Sequence, residues 1–249
     1  MKLKNKIALV TGASRGIGRA ISIAFAQQGA DLGLNFYKSE TAAKAVAREA
    51  ESFGVKALIL KGNVSKEQEV RDLISRMISE FGRIDILVNN AGILTQSLLK
   101  EMSVEMWDEM IASDLRSVFL CTRLALPYMI KQNWGRIINV ASQLGQKGAV
   151  ELTHYCAAKA GVIGFTKALA REVGQYNITV NSIAPGPIDT DMVAAITPEW
   201  KEMKKKELPI PRFGTVEEVA PTAVLLASEP DGNIYTGQSL GPNSGDVMF

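Results

Sequence analysis

Short apolar runs, several rich in β-branched residues, alternate along this chain with longer stretches whose apolar positions recur every three or four residues. Ile7-Ala-Leu-Val10 reads as a buried strand ended by Thr11-Gly12, and the run from Gly18 to Gln28 has helical spacing that stops at Gly29. Leu32 to Phe36 is predicted as a second strand, Glu40 to Phe53 as a helix closed by Gly54, and Ala57 to Leu60 as a third strand. Ser65-Lys-Glu-Gln68 has the spacing of a capping box opening a helix to Phe81, which Gly82 closes. Ile84 to Val88 is the fourth strand. Ser103 is placed to cap a helix around Trp107, and a long helix follows near Leu115 to Lys131. Arg136 to Ala141 reads as strand five, Tyr155 to Val173 as a helix and Ile178 to Ile183 as strand six. Thr215-Val-Glu-Glu218 is another capping box, opening a helix to about Ala227, and Ser239-Leu240 is a last short strand.

Strand–helix alternation implies parallel crossovers with helices on both sheet faces. The expected fold is therefore α/β: a doubly wound, Rossmann-type sheet of about seven parallel strands. No composition shift marks a linker, so residues 1–249 are expected to form a single domain. One stretch, about 187–212, breaks the rhythm with prolines at both ends, Met192, Trp200 and Met203, and the run Lys204-Lys205-Lys206. That run reads as a solvated helix face. An insertion after the carboxyl end of a strand is where such a fold places a substrate cover.

Composition narrows the chemistry. Of 249 residues, 28 are Lys or Arg and 26 Asp or Glu, a balance with no general pull toward nucleic acid or anionic membrane. Two cysteines, Cys121 and Cys156, make no disulfide framework and have no metal-ligand spacing. The single histidine, His154, rules out a multi-His metal site and argues against a Ser-His-Asp triad. Neither a signal-peptide core nor an apolar run of ~20 residues occurs, so a cytoplasmic, reducing location is expected.

Thr11-Gly-Ala-Ser-Arg-Gly-Ile-Gly18 joins the first strand to the first helix. Its glycines permit a tight turn, and the helix N-terminus offers N–H groups to a pyrophosphate. The spacing is G-x-x-x-G-x-G, which meets the general dinucleotide fingerprint only loosely, and no Gly-Lys-Ser/Thr follows to make it a Walker loop. The candidate contacts here are Gly12, Ser14, Arg15, Gly16, Ile17 and Gly18. An acid that would hold a ribose 2′-hydroxyl is expected about 20 residues further on. Phe36 stands there instead, followed by Tyr37, Lys38 and Ser39. With Arg15, two cations and a hydroxyl suit a 2′-phosphate, which favours NADP over NAD.

Tyr155-Cys-Ala-Ala-Lys159 places a phenol and an ammonium four apart on a helix, hence on one face. A neighbouring cation is expected to lower a phenol from its ordinary pKa of about 10 toward a range useful for acid–base work. Ser142 lies thirteen residues earlier, at the end of strand five.

With these residues in view, the chain resembles the short-chain dehydrogenases/reductases along nearly its whole length. The loop Gly12–Gly18, the motif Asn89-Asn90-Ala91-Gly92, the set Ser142, Tyr155 and Lys159, and Pro185-Gly186-x-x-x-Thr190 all match the family pattern. The resemblance implies that Tyr155 donates a proton to the substrate oxygen and Ser142 hydrogen-bonds it. It implies that Lys159 binds the nicotinamide ribose and depresses the Tyr155 pKa, while hydride passes from NADPH to the carbonyl carbon. Asn63, Val64, Asn90, Ala91, Gly92, Pro185, Gly186, Ile188 and Thr190 join the implied cofactor contacts, together with Tyr155 and Lys159. A homotetramer is implied as well.

Three positions depart from the pattern. The family's fourth catalytic residue, an asparagine at a helix bulge, is Asp114 here, which adds a charge near Lys159 and is expected to shift the pH profile. The aspartate after strand three is Asn63. The usual Asp-Gly-Gly near the C-terminus is replaced by Gly241-Pro-Asn-Ser-Gly245-Asp246. By position alone, Gln143, Leu144, Glu151 and Met192 are candidate substrate contacts, His154 is expected to face solvent, and Cys156 to be a small packing residue.

The pattern is most similar to 3-oxoacyl-(acyl-carrier-protein) reductases. Two places where those tend to be basic read Gln132-Asn133-Trp134 and Gln175-Tyr176-Asn177, which weighs against docking of an acidic carrier protein. The expected activity is NADPH-dependent reduction of a small-molecule ketone, with a 3-oxoacyl thioester among the candidates. The rival readings are a polyol, sugar or secondary-alcohol dehydrogenase working oxidatively, and a non-catalytic NADP-binding sensor.

Overall fold

Side chains alternate across each strand, and both sets are apolar, so the strands bury both faces and need helices on each. The computed structural model, which describes residues 1–190 and 197–248, shows how this is met. Its strands are β1 (Ile7–Val10), β2 (Asp31–Phe36), β3 (Ala57–Lys61), β4 (Ile86–Asn89), β5 (Gly135–Val140), β6 (Ile178–Ile183) and β7 (Ser239–Leu240). Among the described residues they form one sheet in the order β3-β2-β1-β4-β5-β6-β7, parallel throughout.

The helices are α1 (Gly16–Gln27), α2 (Glu40–Glu51), α3 (Glu67–Phe81), α4 (Val104–Ile111), α5 (Ser117–Gln132), α6 (Leu144–Lys147), α7 (Thr153–Val173), α8 (Pro198–Glu207) and α9 (Val216–Ala227). Ala8, Val10, Leu32 and Leu34 meet Phe25 of α1, Val46 of α2 and Leu226 of α9 on one face. Ile7, Leu9, Leu87 and Ile137 meet Leu73 of α3, Met129 of α5 and Leu169 of α7 on the other. No helix among the described residues is long and apolar enough to cross a membrane.

Two helix starts differ from expectation for local reasons. Ser65 does not cap α3: its hydroxyl donates to Asn63 Oδ1 at 2.8 Å, and Lys66 takes the N-cap position without a side-chain bond. The capping box at Thr215 and Glu218 forms as expected. Between α4 and α5, the chain does not break but widens into a π-helical turn, Ala112–Arg116, with buried Asp114 at its centre.

All crossovers being parallel, the strands end on one edge. The strand order reverses between β1 and β4, so a crevice opens outside their carboxyl ends. The segments after β1, β2, β3, β4, β5 and β6, together with the first turns of α1 and α6, carry the described candidate residues other than Asp114 and the pair on α7.

Candidate active site

The phosphate loop is stitched to the neighbouring strand end. Asn90 Nδ2 donates to the carbonyls of Thr11 and Gly12 at 2.9 and 3.1 Å, and Thr11 Oγ1 accepts from the backbone N–H of Asn90 and of Ala91. Gly12 takes φ +63°, and a Cβ on Gly18 would stand 2.3 Å from the Gly12 carbonyl oxygen, so both positions require glycine. The N-terminus of α1 bears no side-chain cap at Arg15 and no acid in its first turn, which leaves its N–H groups to an anion. Ser14, Gly16 and Ile17 are half-buried along the same loop.

Beyond β2, Tyr37, Lys38 and Ser39 are exposed. The carboxamide of Asn35, which stands near the strand's end, is spent internally. It accepts from Gly12 N–H at 3.3 Å and donates to the carbonyls of Leu60 and Gly62. These residues fit a dinucleotide bearing a 2′-phosphate, since Tyr37, Lys38 and Ser39 stand directly after β2 and the first acid beyond them, Glu40, is paired with Lys44 at 2.8 Å. Buried Val64 and half-buried Asn63 lie after β3. Pro185, Gly186, Ile188 and Thr190 continue β6, where Gly186 N–H donates to Pro242 O at 3.1 Å.

Ser142, Tyr155 and Lys159 come together as expected. Ser142 follows β5 and is buried, and its Oγ accepts from Leu144 N–H at 3.1 Å. Tyr155 and Lys159 share one face of α7, with Lys159 Nζ 5.6 Å from the phenol ring centre. An apolar cluster of Met110, Leu152, Tyr155 and Ala158, with Leu94 and Leu144 against it, dries the surroundings.

Asp114 joins this group directly. Its Oδ2 lies 3.1 Å from Lys159 Nζ, with both side chains buried, and its Oδ1 accepts from Ile93 N–H at 2.8 Å. Lys159 Nζ also donates to Val140 O at 3.0 Å. Burial alone would favour a neutral amine, but Asp114 and the phenol beside it hold the lysine above its ordinary pKa.

The expected lowering of the phenol does not occur. Burial pushes Tyr155 up, Lys159 pulls it down, Asp114 pushes it up again, and the Ser142 hydroxyl pulls it down. The result lies above the ordinary phenol value, chiefly because the ring and its hydroxyl are buried, with the Asp114 carboxylate adding to that rise against the pull of Lys159.

His154 is fully buried rather than solvent-facing. Its Nε2 lies 2.9 Å from Thr95 Oγ1, and burial keeps its imidazole below the usual value despite Asp114. It pins the loop after β4, as does the Glu151 carbonyl, which accepts from Ser97 N–H at 3.0 Å. The Glu151 side chain itself is exposed and its backbone sits at φ +64°. Lys204 is also buried, not solvated. Gln143 is buried, Leu144 and Cys156 are half-buried, and Met192 lies outside the described residues.

A buried ladder beneath the site escapes sequence reasoning. Asn89 Nδ2 donates to Thr122 Oγ1 and to Asn139 Oδ1, and Asn139 Nδ2 donates to Thr166 Oγ1. It locks α5 and α7 to β4 and β5, so it fixes where Lys159 and Asp114 meet. Polar residues inside otherwise apolar strand runs were its only signal.

Residues 6–201 match the family model for short chain dehydrogenases. The chain belongs to the short-chain dehydrogenase family. It is 42% identical over 244 residues to a 3-oxoacyl-(acyl-carrier-protein) reductase of Staphylococcus epidermidis, covering 98% of this chain and 100% of the relative. A 3-oxoacyl-(acyl-carrier-protein) reductase of Synechocystis sp. is 44% identical over 247 residues, covering 99% of each. Among solved structures, a short-chain dehydrogenase of Burkholderia cenocepacia in complex with NADP superposes with a TM-score of 0.93 at 32% identity, covering 99% of each chain. A short-chain dehydrogenase/reductase of Serratia marcescens gives 0.94 at 34% identity over the full length of both.

Proposed function

We propose that this short-chain dehydrogenase uses NADPH to reduce a ketone to a secondary alcohol, with 3-oxoacyl esters and thioesters as the leading substrate class. The observation that carries the reading is the buried phenol of Tyr155, set beside Ser142 and four residues before an ion-paired Lys159. The 3-oxoacyl reductases named above and the relative solved with NADP support the same substrate and cofactor.

Gly12 to Gly18, Asn63, Val64, Asn90 to Gly92 and Pro185 to Thr190 would hold the dinucleotide, with Tyr37, Lys38, Ser39 and Arg15 toward the 2′-phosphate. When bound, the reduced nicotinamide supplies the hydride that becomes the new C–H bond of the alcohol. The carbonyl π pair moves to oxygen, Ser142 Oγ–H steadies that oxygen, and Tyr155 gives it the phenolic proton. Lys159 stabilises the phenolate left behind, which water reprotonates. The phenol carries the proton that reduction consumes.

Gln143, Leu144, Glu151 and Met192 stand as substrate contacts in this reading, and the segment about 187–212 as the cover, within a single catalytic domain. Gln132 turns its amide to the carbonyls of Ile84 and Trp134, and Gln175 turns its own to Glu172, so neither point offers a cation to an acidic carrier protein. Acyl chains on small carriers are therefore preferred. Exposed Trp107 of α4 and Phe119 and Tyr128 of α5 support a homotetramer. The free thiols Cys121 and Cys156 suit the cytoplasm.

The test is oxidation of NADPH against a panel of ketones, 3-oxoacyl esters, coenzyme A thioesters and carrier-protein thioesters. NADPH should outperform NADH by at least about tenfold in kcat/KM, the worth of one charge-assisted phosphate contact. Equal rates with both cofactors overturn the NADPH assignment, and no oxidation with any ketone overturns the reductase reading.

Asp114 gives a second expectation. In the reductive direction the alkaline limb of the rate marks loss of the phenolic proton. Asp114→Asn removes a charge that raises the phenol, so that limb should move to lower pH while turnover stays within about tenfold of the parent. A profile that does not move removes Asp114 from the electrostatics of Tyr155. A hundredfold rise in turnover would instead mean that the carboxylate impairs the enzyme.

A further inference from the structure

We propose that Asp246, in the C-terminal segment that departs from the family pattern, is a positioning residue for the substrate pocket. It fixes the Gln143 carboxamide next to Ser142 and ties helix α8 to the same point. The proposal rests on the reductase reading for its kinetic arm alone.

The carboxylate of Asp246 is buried, with 7% of its side chain exposed, and three groups from three places converge on it. Gln143 Nε2 donates to Oδ2 at 2.6 Å. Lys147, at the end of α6, and Lys204, on α8, each donate to Oδ1 at 2.8 Å. Lys204 also donates to Glu207 Oε2 at 2.9 Å, so the cluster holds two ammoniums and two carboxylates. A buried carboxylate needs such partners, and Lys204 can be buried only because Asp246 receives it.

The segment carrying Asp246 is itself held on both sides. Gly245 N–H donates to Asn243 Oδ1 at 2.9 Å, and Asn243 Nδ2 donates to Val247 O at 2.8 Å. Ile210 N–H, in the stretch after α8, donates to Ser244 O, and Gly186 N–H donates to Pro242 O. The Gln143 backbone N–H donates to Pro185 O at 3.1 Å, which closes the circuit from Ser142 through the loop after β6 to the C-terminal segment.

The consequence is chemical. A carboxylate only accepts, so Gln143 must present its NH2 to Asp246 and its carbonyl oxygen elsewhere. That oxygen is buried and takes no hydrogen bond among the described residues. The orientation of the amide beside the catalytic serine is thus dictated from the far end of the chain. An asparagine at 246 would turn its own oxygen toward the two lysines and its NH2 toward Gln143, setting donor against donor, and the Gln143 amide would flip.

The experiment compares the parent with Asp246→Asn, Gln143→Ala and the double variant. NADPH affinity, followed by fluorescence, checks that each folds and loads cofactor. Asp246→Asn should raise KM for the best ketone of the panel about tenfold, lower kcat less than KM rises, and do little in the Gln143→Ala background. An unchanged KM, or full additivity with Gln143→Ala, overturns the role through Gln143.

Hydrogen exchange in the NADPH complex needs no substrate. Amides of α8 should exchange about tenfold faster in Asp246→Asn and in Lys204→Met, the latter keeping Lys147 on the carboxylate should the former fold poorly. Unchanged exchange in both overturns the tie to α8. If no ketone of the panel is reduced, the reductase reading falls while this arm still decides on Asp246.

Discussion

Tyr155→Phe is expected to lower kcat about a thousandfold, within the range that a positioned proton donor contributes. The ring is buried in the cluster of Met110, Leu152 and Ala158, and phenylalanine keeps all of that packing. What is lost is one O–H, the proton donor held beside Ser142 at the reacting oxygen. NADPH affinity should change by less than about threefold, because the N–H groups of the phosphate loop and the cations Arg15 and Lys38 remain. Single-turnover rates and fluorescence titration measure the two quantities separately. A sensor that used NADP only as a signal would keep its cofactor-dependent behaviour in this variant. Retained turnover would sink the assignment of Tyr155 as the acid.

How much of this was legible beforehand depends on whether the cause was local. Strands with apolar residues on both faces, such as Ile7–Val10 and Ile178–Ile183, announce a sheet covered on both sides, and their bounds were read from the pattern. Glycines placed by turn geometry, Gly12 and Gly18 above all, were equally plain. So was the shared helix face of Tyr155 and Lys159, because four-residue spacing is a local fact.

Long-range partners were not legible. Nothing near His154 says that Thr95 waits for it, and nothing near Ser65 says that its hydroxyl prefers Asn63 to the helix end. In the lysine run after Trp200, Lys206 is exposed as expected, but Lys204 looked solvated too because its partner, Asp246, is 42 residues away. The phenol was misjudged for the same reason. Its sign depends on a balance among burial, Lys159 and Asp114; the family pattern already set Asp114 near the lysine, but only the folded chain shows how deeply the phenol is buried beside them. Pairwise charge reasoning on one helix could not weigh that third group.

That third group supplies the sharpest test of the site. Lys159→Met should abolish measurable turnover and also destabilise the fold by about 3 kcal/mol, the usual cost of stranding one partner of a buried ion pair. The stranded partner is Asp114, whose side chain is 1% exposed and whose Oδ2 then faces methionine carbons. Adding Asp114→Asn to Lys159→Met removes the orphaned charge while keeping an oxygen to accept from Ile93 N–H. The double variant should therefore regain most of the lost stability in urea unfolding and none of the lost turnover. The two readouts separate because stability answers to the uncompensated carboxylate, whereas turnover answers to the missing ammonium beside Tyr155. A double variant as unstable as Lys159→Met would mean that the lysine's packing, not its pairing, holds this part of α7. A double variant that regained turnover would mean that the phenol transfers its proton without the lysine.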